Sequence, residues 1–434
     1  MKILLYGINF SPELTGIGKY TGELAAWLAE RGHQVRVVTA PPYYPNWKVG
    51  SGFRNGWVVE DIRGGGAAPS NTADPGGGSL QVWRCPLWVP AQPAGIKRLL
   101  HLATFALSSF PVMLRQILWQ PDVVWVVEPA LFCAPTAAVV ARLCGAKAWL
   151  HVQDFEVDAA FELGLLRGKR LRGLVAGAER WLMRRFDVVS TISQRMHQRL
   201  LDKGVAPAKA RLGINWVDMA QFAQPCANGV AAYRRELNIL DGAVVALYSG
   251  NMGGKQGLEV LADVARLCLD NAAPGYADAN LTYKSIVFVF CGNGAGRADL
   301  VARCAGLPNV RFLDLQPADR LPDLLATADI HLLPQKAEAA DLVMPSKLTG
   351  MLASARAVVA SAHAGTELAT VVQTCGLVVP PGDAMAFAHA VRGLAGDRAL
   401  RERLGAAGLL YAQEHLDREA VLGVFDAHLN SLQG

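Results

Sequence analysis

The sequence predicts an α/β fold built from two doubly wound, Rossmann-like domains, and three observations point to it. Short β-branched runs alternate with amphipathic helical stretches, glycine-bearing loops follow several of those runs, and 434 residues suffice for two or three domains. Alternation of this kind predicts parallel sheets that are covered by helices on both faces. Because 52% of the residues are hydrophobic and only 18% are charged, the chain can form large cores.

The first domain is predicted over residues 1–215. Its first helix carries apolar side chains at helical spacing and ends before Gly32, where a C-cap glycine is expected. A low-complexity stretch at about residues 64–79 is interpreted as a flexible surface insertion. The predicted strands are Ile3–Ile8, Gln34–Thr39, Val123–Val127, Ala148–Val152 and Val188–Thr191.

The second domain is predicted over residues 216–410. A connecting segment of little periodicity, residues 211–233, spans the predicted boundary between the two domains. Terminal helices follow, and residues 411–434 are a candidate helix that crosses back to the first domain. Ligands of doubly wound sheets bind beyond the carboxyl ends of the strands, so we expect the site in a central cleft that the two domains face. The predicted strands are Val244–Tyr248, Ile286–Phe290, Val310–Leu313, Ile330–Leu333, Val358–Ser361 and Leu377–Val379.

Charge and cysteine usage narrow the function classes. The net charge of +5 favours anionic partners such as phosphates or a membrane surface, but the chain lacks the dense basic clusters of a nucleic-acid binder. The eight cysteines form neither a C-x-x-C pair nor a Cys/His ligand pattern. We therefore expect reduced, packed thiols in a cytosolic protein, with no nucleic-acid partner.

The sequence start, MKILLYGINFSPE, reads as a first strand, since its apolar run is too short for a signal peptide. No run reaches the roughly 18 uninterrupted apolar residues of a membrane-spanning helix. The nearest region, 123–150, is broken by charged residues and prolines. We expect a cytoplasmic protein, either soluble or peripheral on the inner face of the membrane.

The loop after the first strand has the strand–glycine–helix order of a phosphate loop but matches neither common motif. Glu13 stands where the nucleotide P-loop G-x-x-x-x-G-K-[ST] begins with glycine, and Tyr20 stands where it needs a hydroxyl. The dinucleotide fingerprint G-x-G-x-x-G also fails, because Gly16 and Gly18 are followed by Gly22 one place late.

Two further glycine-bearing loops follow predicted strands of the second domain, YSGNMGGKQGLEVL and CGNGAGR. Glycine lets backbone N–H groups converge on an anion, and the next helix adds the positive end of its dipole. The alternative is that these glycines only make tight turns. Three such loops in matching places favour binding of a nucleotide phosphate.

A helix start later in the second domain is a further candidate. In VMPSKLTGMLAS, Ser346 can cap the helix, and Lys347 can reach an anion at the same N-terminus. A lysine at a helix start is unfavourable unless a negative group offsets it. The alternative is a solvated surface lysine.

A polar cluster follows a strand of the first domain in AWLHVQDFEVDAAFELG. His151, Gln153 and Asp154 are expected to face the cleft, together with Glu156 and Asp158. The alternative is a packed histidine with helix capping by Asp154 or Asp158.

In this order the motifs resemble family 4 retaining glycosyltransferases with the GT-B fold, over nearly the whole chain, and within that family the branch of colanic-acid and related exopolysaccharide synthesis. The stretches that carry the resemblance are FSPELTGIGKYTGELAAWLAERGHQVRVVTAPPYYP, LHVQDFEVDAAFELG, INWVD, YSGNMGGKQGLE, GNGAGR, NVRFLDLQPADRLPDLLATADIHLLPQ and VMPSKLTGMLAS.

The resemblance implies a site for a nucleotide-diphosphate sugar, linked to GDP or UDP. It implies that Asp154 lies in the pocket of the transferred sugar and that Lys255 and Lys347 are the catalytic cations. The donor-binding residues that it implies are Gly16, Gly18, His151, Gln153, Gly250, Asn251, Gln256, Gly292, Asn293, Leu315, Gln316 and Ser346.

The chain departs from the family pattern at three places. Asn251 and Gln256 stand where the family often has an arginine and a lysine, and Gln153 stands where it often has histidine. The usual pair of glutamates eight residues apart is missing, since Leu342 and Gly350 occupy those positions.

Sugar transfer builds negative charge on the departing diphosphate, which helix dipoles, N–H groups and lysines can stabilise. No Asp-x-Asp pair suggests a metal, so we expect no metal and no cofactor. The resemblance implies retention by same-face attack, with the acceptor proton passing to the leaving phosphate. It favours a GDP-linked donor such as GDP-fucose.

The expected acceptor is a lipid-linked oligosaccharide. Residues 95–119 carry Lys97, Arg98, His101 and Arg115 among apolar residues, a composition that suits an interfacial helix on anionic lipid. The alternative is an ordinary domain helix with a basic end.

Two other functions remain open from the sequence. A nucleotide-sugar epimerase has the same architecture, but it needs more acidic and histidine residues than the single cluster supplies. A catalytically silent scaffold subunit that binds nucleotide sugar is favoured by the missing glutamates.

Overall fold

The computed structural model divides the chain into two compact units, and each is described by itself. Unit 1 comprises Met1–Ile214 and Leu422–Gly434, and unit 2 comprises Asn215–Val421. The structure describes residues 1–14, 16–62, 77–91, 95–128, 132–155, 158, 169–223, 227–253, 256–269, 285–337 and 345–432.

Unit 1 is built on an eight-stranded sheet in the order β3-β4-β2-β1-β5-β6-β7-β8. All neighbouring strands are parallel except β3, which pairs antiparallel with β4 at one edge. The strands are β1 (Lys2–Tyr6), β2 (Gln34–Thr39), β3 (Val58–Ile62), β4 (Ser79–Arg84), β5 (Val123–Glu128), β6 (Lys147–Val152), β7 (Val188–Thr191) and β8 (Ala210–Leu212).

Three of these strands, β3, β4 and β8, are absent from the sequence predictions. The predicted insertion at 64–79 is wrong at its carboxyl end, because Ser79 already belongs to β4. Gly78 packs against the end of the first helix so closely that a Cβ would strike the carbonyl oxygen of Ala29. The remainder of that stretch, up to residue 76, lies outside the described residues.

The helices of unit 1 cover its sheet, and aromatic side chains fill much of the interior. Trp125 and Trp149 on adjacent strands stack at 4.2 Å between ring centroids, and Phe425 meets the Trp125 ring edge-on. The helices are α1 (Ile17–Glu30), α2 (Ile96–Gln116), α3 (Ala134–Cys144), α4 (Lys169–Met183) and α5 (Gln194–Asp202), and the last helix of the chain, α15 (Arg418–Ser431), contributes its residues from Leu422 onward.

Unit 2 is built on a six-stranded parallel sheet in the order β11-β10-β9-β12-β13-β14. The strands are β9 (Val244–Ser249), β10 (Ile286–Cys291), β11 (Val310–Leu313), β12 (Ile330–Leu333), β13 (Ala357–Ser361) and β14 (Gly376–Val379). All six occur where the alternating pattern predicts them, to within one residue at each end.

Apolar clusters cover both faces of this sheet, which explains why its strands are continuous hydrophobic runs. The helices are α6 (Met219–Phe222), α7 (Ala227–Glu236), α8 (Glu259–Leu267), α9 (Arg297–Arg303), α10 (Leu321–Thr327), α11 (Lys347–Ala353), α12 (Glu367–Cys375), α13 (Ala384–Gly396) and α14 (Arg398–His415).

The strand order reverses once in each sheet, between β1 and β5 in unit 1 and between β9 and β12 in unit 2. Loops at the carboxyl ends of strands on either side of such a reversal leave a crevice that suits a ligand. The loops after β1 and after β9 are the glycine-bearing loops that the sequence singles out.

One helix in the described part, Ile96–Trp119, is long and apolar enough to cross a membrane by length and composition. The sequence analysis required an uninterrupted apolar run, and this helix is interrupted by Lys97, Arg98 and Arg115. In unit 1 one face of this helix is buried, with Leu102, Phe105 and Met113 almost fully covered.

Candidate active site

Two glycine loops cross each other at the carboxyl end of the unit 2 sheet. Gly250, directly after β9, donates its N–H to the carbonyl of Cys291 at 3.0 Å, and Met252 donates to Asn293 at 2.9 Å. A Cβ on Gly292 would strike the carbonyl oxygen of Gly250. The close approach therefore requires glycine, and both glycines have positive φ, 137° and 148°.

A lysine ammonium lies beside this crossing. Lys347 begins α11, and its Nζ donates to the Tyr248 hydroxyl at 2.8 Å. The same Nζ lies 4.1 Å from the centroid of the Tyr248 ring and about 3.8 Å from where a Cβ of Gly250 would be. Tyr248 in turn donates to the carbonyl of Asn251 at 2.6 Å. This chain of contacts fixes the cation over the loop.

The surroundings of Lys347 shift its pKa, so that a nearby anion would change its protonation state. Lys347 is half-buried, and burial lowers its pKa to about 7. Its contacts exclude the alternative of a solvated surface lysine. An oxyanion placed against the Gly250 loop would restore the charged form and bind it strongly.

The predicted capping role of Ser346 is wrong. Ser346 stands at the N-cap position of α11 but has helical dihedral angles, and its side chain makes no capping hydrogen bond. A capping residue needs an extended backbone to point its oxygen at the next N–H groups, and the backbone here does not provide it.

A second cluster lies beyond β10 and β11. Once its amide is flipped, Asn293 donates to Asp314 at 3.1 Å. Arg297 forms an ion pair with the same carboxylate at 3.0 Å. Gln316 accepts from the Tyr233 hydroxyl at 3.1 Å and donates to the carbonyl of Asp314. Asn293 and Gln316 follow the adjacent strands β10 and β11, and their contact with the base stays a prediction.

The rest of the diphosphate loop is partly described. Gln256 has a buried side-chain oxygen with no hydrogen-bond partner in the described ranges. Lys255 lies outside the described residues, so its role remains a prediction.

In unit 1 the loop after β1 is organised by a buried carboxylate. Glu13 is 5% exposed, and its Oε1 accepts from the backbone N–H groups of Tyr43 and Tyr44 at 3.1 Å each. Its Oε2 accepts from Asn9 at 2.9 Å. Burial raises the pKa of Glu13 to about 7, although these hydrogen bonds oppose the shift.

The two glycines of this loop, Gly16 and Gly18, have different roles: one concerns the backbone and the other leaves room for the Glu13 carboxylate. A Cβ on Gly18 would lie 2.6 Å from Glu13 Oε2, so only glycine leaves room for that side chain. Gly16 precedes α1 with a φ of 62° and has open space around it. Gly16 is therefore positioned to let a ligand approach the backbone.

The polar cluster after β6 separates into buried and accessible members. His151 is 4% exposed, and its two ring nitrogens pair with Ser190 at 2.8 Å and Gln153 at 3.0 Å. Burial lowers the pKa of His151 to about 3. Asp154 is half-buried. The pKa of the Tyr44 phenol is raised to about 12, mainly by burial and in smaller part by the nearby charge of Asp154.

Comparison with known proteins agrees with this geometry. The family "Glycosyl transferase 4-like domain" matches residues 15–216, and "Glycosyl transferases group 1" matches residues 243–397. The chain is 42% identical to WcaI of Escherichia coli (strain K12), named as a colanic acid biosynthesis glycosyl transferase, and the match covers 100% of both chains.

The chain belongs to the family 4 glycosyltransferases. It lies in their colanic acid branch and has the GT-B fold. It is also 25% identical to the alpha-D-kanosaminyltransferase of Streptomyces kanamyceticus, over 52% of this chain and 56% of that protein.

Solved structures share the fold of this glycosyltransferase. Sucrose-phosphate synthase from Thermosynechococcus elongatus has a TM-score of 0.70 at 17% identity and covers 99% of this chain and 98% of its own. Anabaena HepE in complex with UDP-glucose has a TM-score of 0.68 at 13% identity, with 99% and 100% covered.

Five of the predicted site residues lie together in unit 2: Gly250, Asn251, Gly292, Asn293 and Lys347. Leu315 and Gln316, both half-buried, lie on the adjoining edge. In unit 1, Gly18 contacts Glu13, which accepts from the Tyr44 N–H, and Tyr44 lies near the charge of Asp154. His151 matches the alternative given above, a packed histidine, and its predicted donor contact stays a prediction, as does that of its partner Gln153.

Sequence reasoning missed two residues of this site and one of its supports. Tyr248 holds Lys347, and Arg297 holds Asp314 while its Nε is buried with no partner in the described part of the chain. Glu13 was noticed only as a departure from a motif. Tyr248 lies near the carboxyl end of β9, and Arg297 and Glu13 follow β10 and β1, which is the signal that could have found them.

The missing glutamate pair can be assessed at one position. Gly350 lies on α11, and a Cβ there would lie 3.1 Å from Leu325. A side chain at this place needs the Leu325 side chain to shift slightly, whereas residue 342 lies outside the described residues.

Proposed function

We propose that this glycosyltransferase moves a sugar from a nucleotide-diphosphate donor to a lipid-linked oligosaccharide, with retention of anomeric configuration. The observation that supports this most strongly is the Lys347 ammonium, fixed by Tyr248 beside the Gly250–Gly292 crossing. A cation beside a glycine loop at the carboxyl end of the sheet matches the charge of a diphosphate.

The chemistry follows from where charge develops. The bond between the anomeric carbon and the diphosphate oxygen breaks, and a bond from that carbon to an acceptor oxygen forms on the same face. The acceptor hydroxyl proton passes to the departing diphosphate, so a nucleoside diphosphate leaves. Lys347, and in our proposal Lys255, stabilise the leaving charge, while Asp154 positions the sugar.

The donor is proposed to carry GDP or UDP, and fucose is a candidate sugar. HepE, whose fold is similar, holds UDP-glucose in its solved structure, which supports a nucleotide sugar as donor. A thermal-shift screen over GDP- and UDP-linked sugars identifies the donor, because a ligand that binds only the native state raises its melting temperature.

Transfer itself is tested by incubating the purified protein with that donor and a lipid-linked acceptor. We expect nucleoside diphosphate release that depends on the acceptor, and an NMR coupling constant in the product that reports retention. Turnover that survives EDTA would support our proposal that no metal takes part. Interconversion of donor sugars without release would instead indicate an epimerase, and neither reaction would indicate a scaffold.

The lipid-linked acceptor is supported by an apolar surface on unit 1. Ile96, Leu107 and Leu118 follow one another at eleven-residue intervals, which is three helical turns, and are 73%, 75% and 86% exposed. Leu100 and Leu114 lie on the same stripe. An outward helix face in a soluble protein is normally polar, so this one calls for an apolar partner.

Neighbouring residues extend this stripe in the manner of a membrane interface. Trp57 is 64% exposed and donates its indole N–H to the carbonyl of Ser108 on α2. The adjacent α3 exposes Val139 and Leu143. Tryptophan flanking an apolar face is typical of the headgroup level of a bilayer.

The charged residues near the stripe indicate which lipid headgroups it would contact. From residue 75 to residue 121 the sequence contains no aspartate or glutamate, whereas it contains four basic residues, among them Lys97 and Arg115 on one flank of the helix. We therefore propose that this surface lies on a bilayer with anionic headgroups, next to the lipid-linked acceptor.

Vesicle sedimentation tests the surface. We expect wild-type protein to bind phosphatidylglycerol vesicles at low salt and Leu107→Glu to bind about tenfold less. Leu240→Glu is the matched control, since Leu240 is 76% exposed on unit 2. Wild-type protein that stays in solution at low salt, or equal binding by both variants, would overturn the membrane proposal and leave donor chemistry untouched.

A further inference from the structure

An arginine-rich cavity lies at the amino ends of the unit 2 strands. Its volume is about 310 Å³. Val244, Asp329 and Arg356, which start or directly precede β9, β12 and β13, line it. The Gly250 crossing lies at the carboxyl ends of the same sheet, so the two places are distinct.

Four arginines and two acids supply the charge of this cavity. The two acids are Asp329 and Glu402, and the four arginines are Arg234, Arg356, Arg398 and Arg401. The lining therefore has two positive charges in excess. A cavity of this size is at the small end of ligand sites, which are about 300 to 1,000 Å³.

Two of these four arginines form no ion pair within the described residues. Arg234 donates to the carbonyl of Ala243 at 2.8 Å, and Arg356 donates to the carbonyl of Ala326 at 2.9 Å. Neither guanidinium has a carboxylate within ion-pair distance in the described ranges. Carbonyl bonds fix the direction of an arginine and leave its full charge available to a ligand.

The guanidinium of Arg356 also has a donor left over. Its Nε is buried, and in the part of the chain that the structure describes it has no hydrogen-bond partner. A buried donor without a partner is costly, and an oxyanion in the cavity would satisfy it.

The first turn of α14 adds to this preference. Arg398 and Arg401 both lie there, where a cation opposes the positive end of the helix dipole. Arg401 also donates to the carbonyls of Leu394 and Ala395, which ties its position to the end of α13. An anion in the cavity would offset both the dipole and the arginines.

We propose that this cavity binds a small phosphate-bearing anion, of the size of inorganic pyrophosphate or a sugar phosphate. Arg356 holds it from the start of β13 and Arg234 from α7, and Arg398, which is exposed and paired with Glu402 at 2.7 Å, closes over it from α14. Nothing in the donor chemistry uses these groups.

Titration calorimetry with inorganic pyrophosphate tests the site in the full-length protein. Because pyrophosphate also suits the donor loop, the titrations are made in the Lys347→Met background. We expect saturable binding in the low-millimolar range or tighter, above a sodium chloride control of equal ionic strength.

Variants then assign the binding to the cavity. We expect Arg356→Gln to weaken it about tenfold and Arg398→Gln about threefold, whereas Glu402→Gln strengthens it about threefold. Arg403→Gln is the matched control, because Arg403 is an exposed arginine of the same helix outside the lining. It is expected to change nothing.

The proposal fails if pyrophosphate does not bind saturably in the Lys347→Met background. It also fails if Arg398→Gln and Arg403→Gln weaken binding equally, since a general charge effect would then explain both. Arg398 is 78% exposed, so its substitution tests the site even if Arg356→Gln does not fold.

Discussion

The loops after β1 and β9 share one backbone plan and hold opposite charges. Both follow a buried parallel strand at a reversal of strand order, and both depend on glycine at a close contact. Around the second loop lies the ammonium of Lys347, and inside the first lies the carboxylate of Glu13. Burial brings the pKa of each group to about 7 from opposite sides.

This difference shows that a strand–glycine–helix arrangement does not by itself determine whether the loop carries a cation or a carboxylate. At Gly250 the added side chain is a cation that faces the ligand side, so the loop suits a diphosphate. At Gly18 it is an acid that ties the loop to Tyr43 and Tyr44, so the carboxylate shapes the backbone. Near Gly16, where the space is open, this loop offers a ligand its backbone.

The largest expected effect is on turnover. Lys347→Met is expected to lower kcat about 100- to 1,000-fold, because in the proposed reaction it removes a cation that stabilises the departing diphosphate. Lys336→Met is the control, since Lys336 is half-exposed and paired with Glu259 at 3.0 Å. Steady-state release of nucleoside diphosphate is the measurement. Near-normal turnover of Lys347→Met, and of Lys255→Ala, would break the assignment of the cations.

Substitution of two close-contact glycines tests this comparison: Gly18 lies in the loop after β1, and Gly292, in the loop after β10, contacts the carbonyl of Gly250 in the loop after β9. In Gly292→Ala the Cβ meets a backbone carbonyl that cannot move away, so we expect a loss of more than about 3 kcal/mol of stability. In Gly18→Ala it meets the Glu13 side chain, and about 1 to 2 kcal/mol is expected. Urea unfolding measures both.

Gly173 provides the control for this pair, since a Cβ there has nothing within 4 Å. Gly173→Ala lies in α4 and is expected to be neutral or slightly stabilising. Equal losses for Gly292 and Gly18 would show that the rigidity of the contacted atom does not matter, contrary to our comparison.

A smaller effect is expected in the pH dependence of stability. The folded state raises the pKa of Glu13 from 4.5 to about 7. Between those values the native chain holds a proton that the unfolded chain has released, so stability falls as pH rises, by at most about 3 kcal/mol. Glu13→Gln is expected to remove this decline. Urea unfolding at pH 5 and pH 7.5 checks it, and an unchanged decline in the variant would refute the role given to Glu13.

The strands of the sheets could be predicted from the sequence because they are buried on both faces. Such strands appear in sequence as apolar runs, as β9 and β10 do. The edge strand β3 was missed, since Glu60 and Asp61 interrupt its apolar pattern and its outer residues face solvent. Strand β8 has only three residues, too few for any period to appear.

The candidate site was predictable as a set of loops but not as a set of contacts. Gly250 and Lys347 each follow a strand, which the sequence shows. That Tyr248 and Lys347, 99 positions apart, share a hydrogen bond depends on the pairing of β9 with β12. The capping role of Ser346 was wrong because sequence does not give the dihedral angles of a cap. The burial of His151 was not visible in the sequence either, and its predicted donor contact stays a prediction.

The most direct test of this account measures donor affinity against pH by titration calorimetry, using the nucleotide sugar that the thermal-shift screen selects. Because the phosphates of a nucleotide sugar do not titrate near neutrality, a change above pH 7 reports the protein. If Lys347 holds the diphosphate, affinity falls as pH rises beyond about 7 and the ammonium is lost. The decline disappears in Lys347→Met and persists in Glu13→Gln. A decline that survives in Lys347→Met would contradict the account.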